Sequence, residues 1–138
     1  MREILFRGKS KHTDEWVQGS FCEPCNICFE TIGDDPITGE KNTTLWDDHA
    51  VYPESVGQFV GIVDKHGKKI FEGDVILHHL SFQGQQNCQV GKIYWDTERC
   101  AFLCTPGCKL LTSACHVSYE VIGNVFDSPE LAGESYEH

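Results

Sequence analysis

The densest group of residues able to do chemistry is a run of three cysteines, Cys22, Cys25 and Cys28, in the segment CEPCNIC. A Cys-x-x-Cys turn can place two thiolates on one zinc ion, which prefers four ligands in a tetrahedral arrangement. Further ligands would have to come from His49, Cys100, Cys104, Cys108, Cys115 or His116. No Cys-x-x-Cys pair occurs elsewhere, and Cys100 and Cys104 would lie ~13 Å apart on a strand. We therefore interpret the cysteines as small apolar residues, with a structural zinc site as the alternative.

Two histidine-containing groups could also form a site, but their spacing does not predict that the side chains meet at one point. His78 and His79 are neighbours in a candidate strand, where side chains alternate between faces, so they cannot share a metal ion without a bulge. Asp47, Asp48 and His49 could make an acid–base or metal cluster, but they fall in an acidic stretch where nothing fixes their geometry. We expect ordinary polar residues at both places.

Catalytic motifs with a known mechanism are missing from the sequence. Cys115 and His116 are adjacent, whereas a nucleophile and its base are usually distant in sequence. The chain has no Gly-rich phosphate loop opening a helix, no Gly-x-Ser-x-Gly elbow and no His-Glu-x-x-His. We assign no catalytic, cofactor-binding or metal-binding residue, and we expect a non-enzymatic protein.

Nucleic-acid binding is disfavoured by charge. The net charge is −10, and residues 12–54 hold ten acids against one base, Lys41, whereas non-specific affinity for nucleic acid requires Lys and Arg. Tyr94, Trp95 and Phe102 could form a surface on which bases stack, but few basic residues accompany them. We interpret these rings as core aromatics, and the acidic surface as a solvated face or a contact for a basic partner.

The elements that would position these residues are short strands. A chain of 138 residues with 40% hydrophobic residues is typical of one globular domain that folds without disulfides. Residues 2–7 and 16–21 predict a hairpin, because apolar residues alternate on either side of a polar turn. Residues 22–50 show no sustained period and are interpreted as a long irregular insertion, with a short strand near 43–46.

Glycines mark the corners of the following stretch, ESVGQFVGIVDKHGKKIFEGDVI. Gly67 and Gly73 predict sharp turns, with a positive φ at Gly67 that other residues resist. Gly57 and Gly61 predict a bend, a bulge or a close backbone approach. Strands are expected at residues 58–63, 68–71, 75–80, 90–95, 100–104 and 119–126, with residues 108–116 ambiguous.

The last strand has apolar residues on both faces, which is typical of a strand in the interior of a sheet. We therefore expect Val121 and Ile122 in the core, with Gly123 at a bend and Asn124 bonded to backbone groups there. Ser128 and Pro129 have the residue types of a helix start. The predicted fold is all-β and mainly antiparallel, either a small SH3-like barrel or a half-open sandwich, ending in a short helical turn.

The segments MREILFRGKS, EWVQGSF, YPESVGQFVGIVDKHGKKIFEGDVI and YEVIGNVFDSPEL together resemble the YopX family of phages, prophages and other bacterial mobile elements. The resemblance covers both ends and the middle of the chain, and leaves out about 22–50 and 81–118. It implies one mostly β domain over residues 1–138, with a variable insertion at 22–50, and no established activity, cofactor or catalytic residues. Val60 stands where the family usually has Thr.

The function expected from this resemblance and from the charge is that of an accessory protein of a phage or mobile element, which binds a protein partner through its insertion and acidic surface. A nucleic-acid-associated protein and a structural zinc-binding module are the alternatives. No apolar run is long enough for a membrane span and no signal peptide is recognised, so we expect a protein of the bacterial cytoplasm that contacts no membrane and could form homo-oligomers.

Overall fold

The computed structural model describes residues 3–23, 25–34, 36–41, 43–82, 84–105, 109–111 and 117–130. The chain divides into two compact units. The N-terminal unit is Ile4–Gln58, and the C-terminal unit is Phe59–His138 together with Met1–Glu3. The single domain expected over residues 1–138 remains a prediction.

The N-terminal unit is built from consecutive antiparallel hairpins. Its strands are β1 (Phe6–Lys9), β2 (Trp16–Cys22), β3 (Asn26–Gly33) and β4 (Thr43–Ala50), and a 3-10 turn, Pro53–Ser55, follows. The strands pair in the order β4-β3-β2-β1. Ile27 and Val51 are fully buried. The predicted hairpin is confirmed, and its second strand, predicted at 16–21, is β2. Its first strand is Phe6–Lys9 rather than residues 2–7.

The prediction of an irregular insertion at residues 22–50 was wrong. Strands β3 and β4 pair continuously, from Asn26 opposite Ala50 to Gly33 opposite Thr43. Strand β2 pairs only with the first residues of β3. The backbone N–H and C=O groups in the rest of β3 therefore take their hydrogen-bond partners from β4. Along β3 the buried Ile27 and half-buried Phe29 alternate with more polar positions, which is the period of a strand with one covered face.

The C-terminal unit contains the remaining strands. They are β5 (Gly57–Val63, whose first two residues pair with β1), β6 (Lys69–Phe71), β7 (Asp74–Phe82), β8 (Gln85–Asp96), β9 (Ala101–Cys104), β10 (Lys109–Leu110) and β11 (Val117–Asn124). Beyond Gln58, β5 pairs with β6, and the other five strands form a sheet in the order β10-β9-β8-β7-β11. Its core cluster consists of Ile70, Ile76, Ile93, Cys104 and Tyr119.

The glycine corners are confirmed. Gly67 and Gly73 lie in turns with φ of 83° and 92°. Gly61 has φ of 103° where the register of β5 and β6 shifts, so it forms the predicted bulge. The turn before β6 is held by Asp64, whose buried carboxylate accepts the backbone N–H groups of His66 and Lys68, both at 2.9 Å. A carboxylate in this position closes the turn on its own backbone.

Replacing Gly67 with alanine is expected to lower the free energy of unfolding by about 1 kcal/mol, because a β-carbon is disfavoured at positive φ. Space is not the cause, since a β-carbon at Gly67 would meet nothing within 4 Å. Chemical denaturation measures the loss. Gly67→Asn is the matched control, because asparagine tolerates this backbone region better than alanine does; an alanine variant as stable as the parent would contradict the strain argument.

The closing strand differs from its prediction. Among the described residues, strand β11 is the terminal strand of its sheet and pairs only with β7, so it is an edge strand rather than an interior one. Val121 packs against the core cluster, whereas Ile122 is 39% exposed. Register shifts between Val121 and Gly123, as the predicted bend requires, and the side-chain oxygen of Asn124 accepts the N–H groups of Phe126 and Asp127.

The predicted fold class is confirmed as all-β and mainly antiparallel, with the strands in two sheets. Within the described part of either unit the strands do not close into a barrel. The helical turn expected near the end of the chain begins at Pro129 and Glu130, and its continuation lies outside the described residues. No helix among the described residues is long and apolar enough to span a membrane.

Candidate functional site

The β3–β4 hairpin, residues 26–50, is the most distinctive surface of the N-terminal unit, and we refer to it as the acidic hairpin. Its outer part exposes two isoleucines, Ile32 at 76% and Ile37 at 91%. Exposed acids accompany them: Glu30, Asp34, Glu40, Asp47 and Asp48. Lys41 is the one base of the segment, and it forms an ion pair with Asp34 at 3.0 Å. The acidic hairpin therefore combines exposed apolar side chains with a net negative charge.

The cysteine run sits at the base of this hairpin. Ser20 pairs with Cys28 and Cys22 pairs with Asn26, so Cys22 and Cys28 lie diagonally on one face of β2 and β3. A hydrogen bond with Cys22 is the largest of the causes that raise the pKa of Cys28 to about 11; burial and the negative charges of Cys22 and Asp48 add to it. The Cys28 thiol therefore stays protonated at neutral pH.

A zinc site at these cysteines has no complete ligand set in the described part of the chain. Zinc binds the thiolate form of cysteine and prefers four ligands in a structural site. Among the described residues, no three His, Cys, Asp or Glu side chains come close enough together to hold a metal ion. Cys108, Cys115 and His116, which were considered as ligands, lie outside the described residues.

His49 lies between a serine and a carboxylate, an arrangement that resembles a catalytic triad in its order. Ser10 Oγ is 2.8 Å from His49 Nδ1, and His49 Nε2 is 3.4 Å from Asp47 Oδ2. However, Ser10 is fully buried and its hydroxyl also accepts the N–H groups of His12 and Thr13. A hydroxyl that is enclosed and already caps a turn cannot reach a substrate, so this group is structural.

His78 and His79 face opposite ways, as their adjacency predicted. His78 is buried, and its ring lies 5.0 Å from that of Tyr119. His79 lies on the other face, where Nδ1 is 3.3 Å from Cys88 Sγ and Nε2 is 3.5 Å from Glu120 Oε1. We name Cys88, His79 and Glu120 the thiol cluster.

Sequence reasoning missed the thiol cluster, although a signal for it was present. Gly84, with φ of 79°, forms the tight turn between β7 and β8. A tight turn fixes the register of a hairpin, and the register of β7 and β8 places His79 opposite Cys88. From the sequence alone, no turn is predicted in the segment SFQGQQN, so His79 and Cys88 are not brought together.

The aromatic group is only partly in the core. Trp95 is 43% exposed and packs edge-on against Phe102, with ring centroids 5.0 Å apart, so the interpretation of Trp95 as a core residue was wrong. Arg99, the nearest candidate for a phosphate contact, is held by Asp96 at 2.7 Å. The hydrogen bond from the Arg99 side chain is the main reason that the pKa of Asp96 is lowered. This pairing neutralises the charge of Arg99.

Comparison with known proteins supports the fold. The chain is similar to a crystal structure of protein EF1440 from Enterococcus faecalis, with a TM-score of 0.51 and 23% sequence identity over 95% of this chain and 99% of that chain. No match was found among curated proteins. The family model described as YopX protein matches residues 5–132, which is most of the sequence. The chain therefore belongs to the YopX family.

Proposed function

We propose that this protein is a binding module that docks on a basic protein partner through the acidic hairpin. The observation that carries the proposal is the exposure of Ile32 and Ile37 within a surface of acids. Large apolar side chains that stand out among charges are typical of contact sites, where they provide the burial and the rim charges provide specificity. The setting we propose, from the resemblance to phage and mobile-element proteins, is that of an accessory protein in the bacterial cytoplasm.

Two alternatives fit the hairpin less well. A nucleic acid would be repelled by the acidic residues, because its phosphates need basic groups to replace their counterions. A second copy of the same hairpin would bring two surfaces of like charge together, which is unfavourable unless the charges are offset. A basic partner with an apolar patch satisfies both features of the surface.

Changing the two isoleucines to serine is expected to abolish capture of the partner. Immobilised protein would be incubated with host lysate, and the bound proteins would be compared between the parent and the double variant Ile32→Ser/Ile37→Ser. Serine removes the apolar contact without adding charge, and the side chains are exposed, so the fold should be unaffected. Ile4→Ser is the matched control, because Ile4 is 63% exposed in the same unit but outside the hairpin.

The contribution of the acidic residues to binding can be measured separately. Binding should weaken as salt is raised, because the exposed charges are screened, and Glu30→Gln combined with Glu40→Gln should reduce that salt dependence. Identical sets of bound proteins from the parent and the double isoleucine variant would refute the proposal. Loss of the same protein in Ile4→Ser would show that the capture does not involve the hairpin.

A further inference from the structure

The thiol cluster is assembled by three neighbouring strands of the C-terminal unit. In the register of β7 and β8, His79 is directly opposite Cys88. In the register of β7 and β11, Glu120 is opposite Leu77, two positions from His79 and therefore on the same face of the sheet. The three side chains form a row across β8, β7 and β11, which fixes their order with the imidazole in the middle.

Each nitrogen of the His79 ring faces a different partner. Nδ1 is 3.3 Å from Cys88 Sγ, within reach of a hydrogen bond to sulfur, and Nε2 is 3.5 Å from Glu120 Oε1, an ion-pair distance without hydrogen-bond geometry. The Nε2 atom is shielded from solvent and makes no hydrogen bond to a described residue, so Glu120 acts on the ring as a negative charge 3.5 Å away. A proton on Nε2 leaves the lone pair of Nδ1 directed at the thiol, which is the arrangement of a general base.

The carboxylate is held in its charged form by a basic neighbour. Glu120 Oε1 is 3.3 Å from Lys65 Nζ, and Oε2 is 3.9 Å from His66 Nε2. The hydrogen bond and the positive charge of Lys65 lower the pKa of Glu120; His79 and His66 lower it further, against a smaller opposing effect of burial. Glu120 is therefore negative at neutral and mildly acidic pH, and it stabilises the positive charge that His79 acquires when it takes a proton.

The thiol cluster differs in accessibility from the row formed by Ser10, His49 and Asp47. Ser10 is fully buried, and its hydroxyl is occupied by two backbone N–H groups. Cys88 is exposed, so an electrophile can reach its sulfur. A purely structural contact would not require an accessible nucleophile at the end of such a row.

We propose that Cys88 is a nucleophile that accepts an acyl group from a thioester or activated ester, with His79 as its general base and Glu120 as the residue that orients the ring. The Cys88 sulfur attacks the carbonyl carbon as its proton passes to His79 Nδ1. The bond from that carbon to the leaving thiolate or alkoxide then breaks, and His79 returns the proton to the leaving group. The product is an S-acyl cysteine, with no change in oxidation state. This chemistry is separate from the docking proposed for the acidic hairpin, and either can fail alone.

The test compares two exposed thiols of the same protein. Cys100 is also exposed, and its Sγ contacts only the carbonyl of Thr97 among its described hydrogen bonds. Iodoacetamide and p-nitrophenyl acetate serve as probes, with modification at each cysteine followed by peptide mass spectrometry. We expect Cys88 to react ~10-fold or more faster than Cys100, since a base 3.3 Å from the sulfur can take the thiol proton as the sulfur attacks.

Two variants distinguish activation from exposure. His79→Asn should reduce the rate at Cys88 to that at Cys100, and Glu120→Gln should reduce it partly, while the rate at Cys100 stays unchanged in both. Circular dichroism checks that each variant is folded. Among the described side chains, the titratable groups in line with the thiol are His79 and, behind it, Glu120, Lys65 and His66. A change in the pH dependence of the rate in the variants therefore reports on this row. Equal rates at Cys88 and Cys100 in the parent, or a His79→Asn variant with the parent's rate, would overturn the proposal.

Discussion

Replacing Asp64 with alanine is expected to lower the free energy of unfolding by about 3 kcal/mol, since it removes the acceptor of three backbone N–H groups. Asp64 is 6% exposed. Its Oδ1 accepts from His66 and Lys68 within the turn, and its Oδ2 accepts from Val121 of β11 at 3.1 Å. Urea denaturation of the parent and the variant at neutral pH measures the difference.

The stability contributed by Asp64 should also depend on pH. Burial raises the pKa of Asp64, but the N–H groups of Val121, Lys68 and His66 outweigh it, so the pKa is lowered in the folded protein. A carboxyl whose folded pKa is lowered adds stability that is complete above its unfolded pKa of about 3.9 and is lost as the pH falls through the folded value. The gap between the parent and Asp64→Ala should therefore narrow below about pH 4.

Asp64→Asn is the matched control, since it keeps one acceptor oxygen and the size of the side chain. It should lose less stability than Asp64→Ala at neutral pH and show a weaker dependence on pH. Asp96 and Glu120 also have lowered pKa values, so the parent alone would not isolate one group; the difference between parent and variant does. A gap that stays constant down to pH 2 would show that the charge of Asp64 has no part in stability.

Replacing Ile76 with alanine is expected to cost about 2–5 kcal/mol, because a fully buried side chain leaves a cavity when it is truncated. Ile76 has no exposed surface and lies in the core cluster of the C-terminal unit. In the pairing of β7 with β11, Ile76 lies opposite Val121, so the cavity would form next to β11. Denaturant unfolding with a constant m-value would confirm that stability rather than compactness has changed.

Ile122→Ala is the matched control, with the same atoms removed from the neighbouring strand. Ile122 is 39% exposed, so its truncation should cost much less than that of Ile76. The sequence had indicated the opposite for Ile122, which was expected in the core. Equal losses in the two variants would mean that Ile122 is covered in solution.

Local chemistry explains which parts of the fold were predictable. Gly67 and Gly73 have a positive φ that few other residues adopt. Their turns, and with them the two ends of strand β6, therefore follow from residue type. The position of β11 does not follow from residue type. Apolar residues on both faces indicated an interior strand, but which strand pairs with which depends on contacts between residues far apart in sequence. Tyr119 is buried while Ile122 is not, and no local pattern separates them.

The candidate sites show the same division. The acidic hairpin is predicted as a segment that could contact a partner, and the short strand predicted near 43–46 is part of β4. Strand β3 is not predicted, because turn residues and cysteines obscure the alternation of Ile27 and Phe29. The thiol cluster depends on the register of β7, β8 and β11. Cys88 and His79 could have been paired from the turn at Gly84, whereas Glu120 comes from a strand that is distant in sequence.

The edge position of β11 has a consequence for solubility. An exposed edge strand can add a strand from another molecule and start aggregation. Here the turn before β6 occupies part of that edge: Lys65 N–H donates to the Tyr119 carbonyl at 2.8 Å, and Val121 N–H donates to Asp64. The chain thus uses one of its own turns as a cover against intermolecular pairing. Protonation of Asp64 would weaken the bond from Val121, while the bond from Lys65 to Tyr119 would keep part of the edge covered.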